Sequence, residues 1–246
     1  MQTLGWAAAG GIAFPFFMTS AGAAMVFLWA ARPQARSEKA TLGFAAGVMT
    51  AASVWSLLLP AIERSEALGL PGWLPAAAGL LAGVVFPAAM DGWFARLAGN
   101  QAGTALLSAA ITLHNVPEGL AVGLAFALAA EEGGMAAAAA LSLGIGIQNF
   151  PEGLAIALPL RQAGRSRLNA FTGGVLSGAV EPVAATAAVI LSARLTAVMP
   201  WLLAFAAGAM LYVVVEELVP QAAGRSGTCG FVAGFLAMMV LDVALG

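Results

Sequence analysis

Two six-residue phrases, His114-Asn115-Val116-Pro117-Glu118-Gly119 and Gln148-Asn149-Phe150-Pro151-Glu152-Gly153, lie inside otherwise apolar segments. Each sets a carboxylate beside imidazole or carboxamide donors and a proline, at what must be lipid depth. Ionisable groups there are costly and usually functional. On a helix, His114 and Glu118 are four residues apart and share a face. Asn115 and Glu118 are three apart, on a face turned slightly from the first. One helix thus offers two neighbouring donor clusters with Glu118 between them. The second phrase repeats the arrangement with Gln148, Asn149 and Glu152. A third carboxylate stands in Ser177-Gly178-Ala179-Val180-Glu181-Pro182.

The prolines add acceptors. Pro117 cannot donate to the carbonyl of Leu113, Pro151 to that of Ile147, or Pro182 to that of Gly178. A freed carbonyl at membrane depth needs another helix, water or an ion as partner. Gly119 and Gly153 let a second backbone come close. Three central carboxylates with almost no central basic residue imply either protonation or a bound cation. An unpaired carboxylate in a low-dielectric medium takes up a proton, whereas a divalent ion holds it ionised. Mixed nitrogen and oxygen donors suit zinc and its neighbours, and purely oxygen sites suit magnesium or calcium. One imidazole with several carboxylates and amides points to Zn²⁺, with Fe²⁺, Mn²⁺ and Cd²⁺ as further cargo. The thioether of Met49 would soften the site, although a methionine in a span is more often packing. The plainer alternative for all of these residues is polar glue between helices.

The elements that position these residues must be membrane helices. The chain is 61% hydrophobic and 9% charged over 246 residues, which excludes an ordinary soluble domain. A span needs roughly 20 apolar residues. Eight such stretches can be marked, at about 4–30, 40–62, 73–95, 104–129, 135–160, 168–192, 198–219 and 228–245. They form a single all-α transmembrane domain, 1–246. Small residues such as Gly79 and Gly83 predict close helix packing. No basic cluster suggests nucleic acid. The one cysteine, Cys229, and the one histidine exclude a disulfide framework and a multi-imidazole site. The first stretch lacks a basic leader and reads as a retained span.

With eight spans both termini share a side. The opposite side carries Arg32, Arg36, Lys39, Arg96, Arg161, Arg165, Arg167 and Arg225, and the terminal side only Arg64 and Arg194. The positive-inside rule then predicts both termini outside. Glu131 and Glu132 fall in an outside turn, most simply a solvated one.

At these residues the chain resembles the ZIP family of divalent metal transporters, within it the bacterial GufA-like branch. The motifs that carry the resemblance are His114 to Gly119, Gln148 to Gly153, and Glu181-Pro182. The resemblance implies an eight-span bundle with both termini outside, in a bacterial cytoplasmic (inner) membrane. It implies one metal position at His114, Glu118, Gln148 and Glu152, and a second at Asn115, Glu118, Asn149, Glu152 and Glu181. Glu118 and Glu152 would bridge them. Gly47-Val48-Met49 is similar to the GufA-like stretch, which makes Met49 a candidate ligand of the first position. Spans at about 4–30 and 104–192 would form the transport bundle, and 40–95 with 198–245 a scaffold. A homodimer is also implied. Many members have histidine where Gln148 stands, some aspartate where Asn149 stands, and many a histidine-rich loop where Leu97 to Gly103 has none.

The expected function is passage of the dication into the cytoplasm by alternating access, without a prosthetic group. The path would run past Glu63 and Asp242 outside, and past Glu216, Glu217 and Asp91 inside. Interfacial solvation is the other role open to these five acids. Rival readings are a metal channel, a small-molecule exporter with Glu118, Glu152 and Glu181 as proton relay, and a membrane metalloenzyme. The last lacks a His-Glu-x-x-His signature.

Overall fold

The computed structural model describes residues 2–28, 35–98, 103–132, 134–162, 164–192 and 196–245. Among the described residues every regular element is helical. Four predicted stretches are single helices: α1 (Gln2–Leu28), α4 (Trp73–Ala98), α5 (Gly103–Glu132) and α6 (Met135–Gln162). α11 (Arg225–Leu245) is a fifth. The other three are interrupted, which the sequence reading did not foresee.

Two interruptions are π-helical turns. α2 (Ala35–Ala52) passes through Ser53–Leu58 into α3 (Leu59–Ala67). α9 (Met199–Val213) passes through Val214–Leu218 into α10 (Val219–Ala222). Each wide turn comes just before a proline, Pro60 or Pro220, at the start of the following helix. Proline removes one helical bond and crowds the carbonyl four residues back, and a wide turn relieves that clash. The third interruption separates α7 (Arg167–Gly178) from α8 (Val180–Ser192). Here the Ala179 N–H bonds the carbonyls of Val175 and Leu176 at 3.1 and 3.3 Å. Pro182 has no N–H for the Gly178 carbonyl, so the ladder stops there. The break sets Glu181 in the first turn of α8, where the helix dipole favours an anion.

Among the described residues six segments are long and apolar enough to cross a membrane: Gly5–Leu28, Lys39–Ala67, Trp73–Met90, Arg167–Ser192, Met199–Ala222 and Arg225–Ala244. The described part of α5 contributes a shorter apolar stretch, Asn115–Ala130. In α6 the polar phrase lowers the hydropathy of an otherwise apolar rod. Large apolar side chains cover the outside, with Trp6 78% and Val183 70% exposed. A surface of that kind is matched to lipid tails.

Small residues set the packing. α1 lies along α6, α2 along α11, α4 along α9 and α5 along α8. A methyl built on Gly83 would strike the Phe205 carbonyl of α9, and one on Gly79 the Trp201 carbonyl, so the predicted close approach of this pair is observed. Gly119 meets the Glu181 backbone in the same way, and Gly153 the Thr19 carbonyl. Gly153→Ala therefore has a definite sign. Alanine improves helix propensity by about 1 kcal/mol, but overpacking against fixed backbone costs about 1–3 kcal/mol. The thermal midpoint of the purified protein in detergent should fall. A raised midpoint would show that α1 and α6 are not in backbone contact.

Candidate metal centre

Both phrases lie near the middle of their helices. α5 ends at Glu132 and α6 begins at Met135, and Gly134 just before it has φ 85°, in the left-handed region. The two helices therefore run antiparallel and bring the phrases to the same depth. α8 packs on α5, and α1 on α6, so four elements surround the polar residues.

Asn115, Asn149, Glu118, Gln148 and Glu181 are all buried, none more than 2% exposed. Glu152 is half-buried. The carboxamides tie the group together. The Gln148 Nε2 donates to Glu118 Oε1 at 2.7 Å, joining α6 to α5. The Asn149 Nδ2 donates to Glu181 Oε2 at 2.7 Å, joining α6 to α8. The Asn115 Nδ2 donates to the Ser177 carbonyl at 3.0 Å, joining α5 to α7. The Thr19 hydroxyl of α1 stands 3.1 Å from Glu181 Oε1. Thr19 and the Ser177 carbonyl are partners that sequence reasoning missed. Thr19 left one signal, a hydroxyl four residues after Pro15 in an apolar helix.

Each amide nitrogen thus has a protein acceptor, and each amide oxygen is left without a donor. Asn115 Oδ1, Gln148 Oε1 and Asn149 Oδ1 are buried and unpartnered, together with Glu118 Oε2 and Glu152 Oε1. Buried acceptors in native proteins almost always find a partner, and each orphan costs about 1–3 kcal/mol. Five from two six-residue phrases, all acceptors, call for positive charge. The charged neighbours acting on these carboxylates, among the described residues, are other carboxylates. Glu118 feels Glu152 and Glu181, Glu181 feels Glu152, and Glu152 feels Glu217.

No three carboxylate, imidazole or thiolate groups converge on one point among the described residues. Carboxamides stand between the acids, so the described donors are amide and carboxylate oxygens in alternation. The side chain of His114 lies outside the described residues, as does that of Asp91. Met49 is 4% exposed and belongs to the apolar core with Leu141 and Ile145 of α6. That face of α6 continues into Gln148 and Asn149. The peripheral acids separate. Glu63 and Glu216 are exposed and Glu217 is half-buried. Asp242 is 8% exposed and accepts from Ser56 Oγ at 2.6 Å. Interfacial solvation therefore does not describe Asp242.

Residues 94–242 match the family model described as ZIP Zinc transporter. The chain belongs to the ZIP family. The match begins near the end of α4 and includes both phrases and Glu181. Among its relatives is the ZIP protein of Xenopus tropicalis named Zinc transporter ZIP11, 36% identical over 93% of this chain and 94% of that one. Zinc transporter GufA of Myxococcus xanthus is 40% identical over 78% of this chain and 81% of its own length. Zinc transporter ZIPB of Bordetella bronchiseptica is 38% identical over 99% and 82%. ZIP proteins are transporters and not enzymes, which removes the metalloenzyme reading. Membership of the ZIP family, with six helices among the described residues long and apolar enough to span, makes this an all-α integral membrane protein.

Proposed function

We propose that this ZIP protein carries divalent transition-metal ions, zinc foremost and Fe²⁺, Mn²⁺ or Cd²⁺ as further cargo, into the cytoplasm by alternating access. The reading rests on one observation above all: five buried oxygens of the two phrases have no hydrogen-bond donor. Zinc has priority because relatives covering most of the chain are named zinc transporters. In this reading His114, Glu118, Gln148 and Glu152, with Met49, hold a first ion. Asn115, Asn149 and Glu181 would close on a second with the same two bridging glutamates, three carboxylates that do not meet at one point in the described structure. Eight spans, both termini outside, place the basic loops in the cytoplasm of a bacterial inner membrane. α1 and α5 to α8 would move against a scaffold of α2 to α4 and α9 to α11, in a homodimer. Glu217, which acts on Glu152, extends the acidic path toward the inner side. An inside-negative potential favours inward movement of a dication by about 4.6 kcal/mol per 100 mV.

The test is uptake by purified protein in liposomes with an inside-negative potential. Zinc uptake should saturate, and Cd²⁺, Fe²⁺ and Mn²⁺ should compete with it. Uptake that does not saturate would favour a channel. Proton flux without metal uptake would favour the relay and sink this reading.

A further inference from the structure

Glu181 differs from its two fellow carboxylates. Glu118 and Glu152 each keep a buried oxygen without a donor. Glu181 has partners for both: Thr19 Oγ1 lies 3.1 Å from Oε1, and Asn149 Nδ2 lies 2.7 Å from Oε2. Each of its oxygens therefore already has a protein donor within hydrogen-bond distance. An ion that takes the lone pair used by either donor displaces it, and one that binds beside the donor shares an oxygen whose electron density the donor already draws on.

Thr19 is built to be displaced. It is fully buried on α1, and its hydroxyl carries a single proton. That proton has two acceptors within reach, Glu181 Oε1 and the Pro15 carbonyl one turn back, both at 3.1 Å. A hydroxyl rotor can turn between two acceptors without breaking any packing. When it faces Pro15, the Thr19 hydroxyl still has an acceptor on α1, and Oε1 of Glu181 is free. Thr19 is also fixed in place, because Gly153 and Gly178 admit its backbone and side chain at distances no Cβ would tolerate. The hydroxyl is thus presented to Glu181 by rigid contacts, while the proton itself is mobile.

We propose that Thr19 is a positioning residue that competes with the transported ion for Glu181, holding the carboxylate while the centre is empty and lowering its grip on the ion. This rests on the transport reading above. A hydrogen bond to a charged group contributes about 1.5–3 kcal/mol, and the alternative acceptor offsets part of it. Losing the hydroxyl should therefore strengthen Glu181 as a ligand and slow release.

The experiment is zinc chloride uptake by the purified protein in liposomes, with Thr19→Val, Thr19→Ser and Glu181→Gln, singly and combined. Thr19→Val should lower KM and maximal rate together, by about three- to tenfold. Thr19→Ser, which keeps the hydroxyl, should behave as wild type. In the Glu181→Gln background Thr19→Val should change nothing further, since the two act through one contact. Thr19→Ala removes the same hydroxyl in a smaller side chain and should match valine, which separates the effect from a packing fault. A raised or unchanged KM in both Val and Ala variants, or effects of Thr19→Val and Glu181→Gln that simply add, overturns the assignment and leaves the transport reading standing. No zinc uptake by the wild type overturns both.

Discussion

Zinc uptake should fall to background when Glu152 is replaced by alanine. Glu152 Oε1 is buried without a donor. Its carboxylate acts on Glu118 and Glu181 across two helix interfaces. In the proposed centre it is shared by both ion positions, so one substitution removes a ligand from each. Removing one partner of a buried charge pair costs about 3–5 kcal/mol, or roughly two to four decades in affinity. Glu152→Gln keeps the shape and one oxygen but loses the charge, and should lie between alanine and wild type. Glu66→Gln, on an exposed side chain outside the polar group, is the control and should transport normally. Near-normal uptake by Glu152→Ala, with protein of normal thermal stability, would remove the bridging role and with it the shared two-position centre.

The second large effect concerns selectivity. Gln148 contributes a neutral carboxamide whose nitrogen is held by Glu118 at 2.7 Å and whose oxygen is unpartnered. Imidazole is a better zinc ligand than an amide oxygen, while harder ions such as Mn²⁺ gain little from the exchange. Gln148→His should therefore tighten apparent zinc affinity about tenfold, equal to about 1.4 kcal/mol. It should raise the zinc-to-manganese preference by a similar factor and lower the maximal rate as release slows. The second imidazole nitrogen can still donate to Glu118, so the link between α5 and α6 survives. An unaltered KM for zinc and an unaltered competition series would mean that residue 148 does not face the ion.

These expectations divide between sequence and structure in a physical way. The helices were legible because lipid imposes a composition: among the described residues, five of the marked apolar stretches correspond to single helices and three to interrupted ones, with ends shifted by a few residues. The polar residues of the proposed centre were legible because such groups are rare in apolar stretches. His114, Glu118, Gln148, Glu152 and Glu181 stand out against alanine and glycine without any knowledge of packing. The prolines told that the ladder would be disturbed but not how. Pro117 passes within a continuous helix. Pro182 ends one, and Pro60 and Pro220 follow π turns. Which relief is used depends on neighbours that a local rule does not contain.

What the sequence determined by itself is the chemistry on offer: membrane helices carrying carboxylates and carboxamides in two repeated phrases, and membership of a transporter family that follows from them. What only the tertiary structure decided is how those groups are paired. The contact of Thr19 with Glu181 crosses 162 positions, and that of Ser56 with Asp242 crosses 186. No periodicity within one helix encodes such partners. They are fixed by glycines that let two backbones touch at one register, and that register emerges only when all the helices pack together.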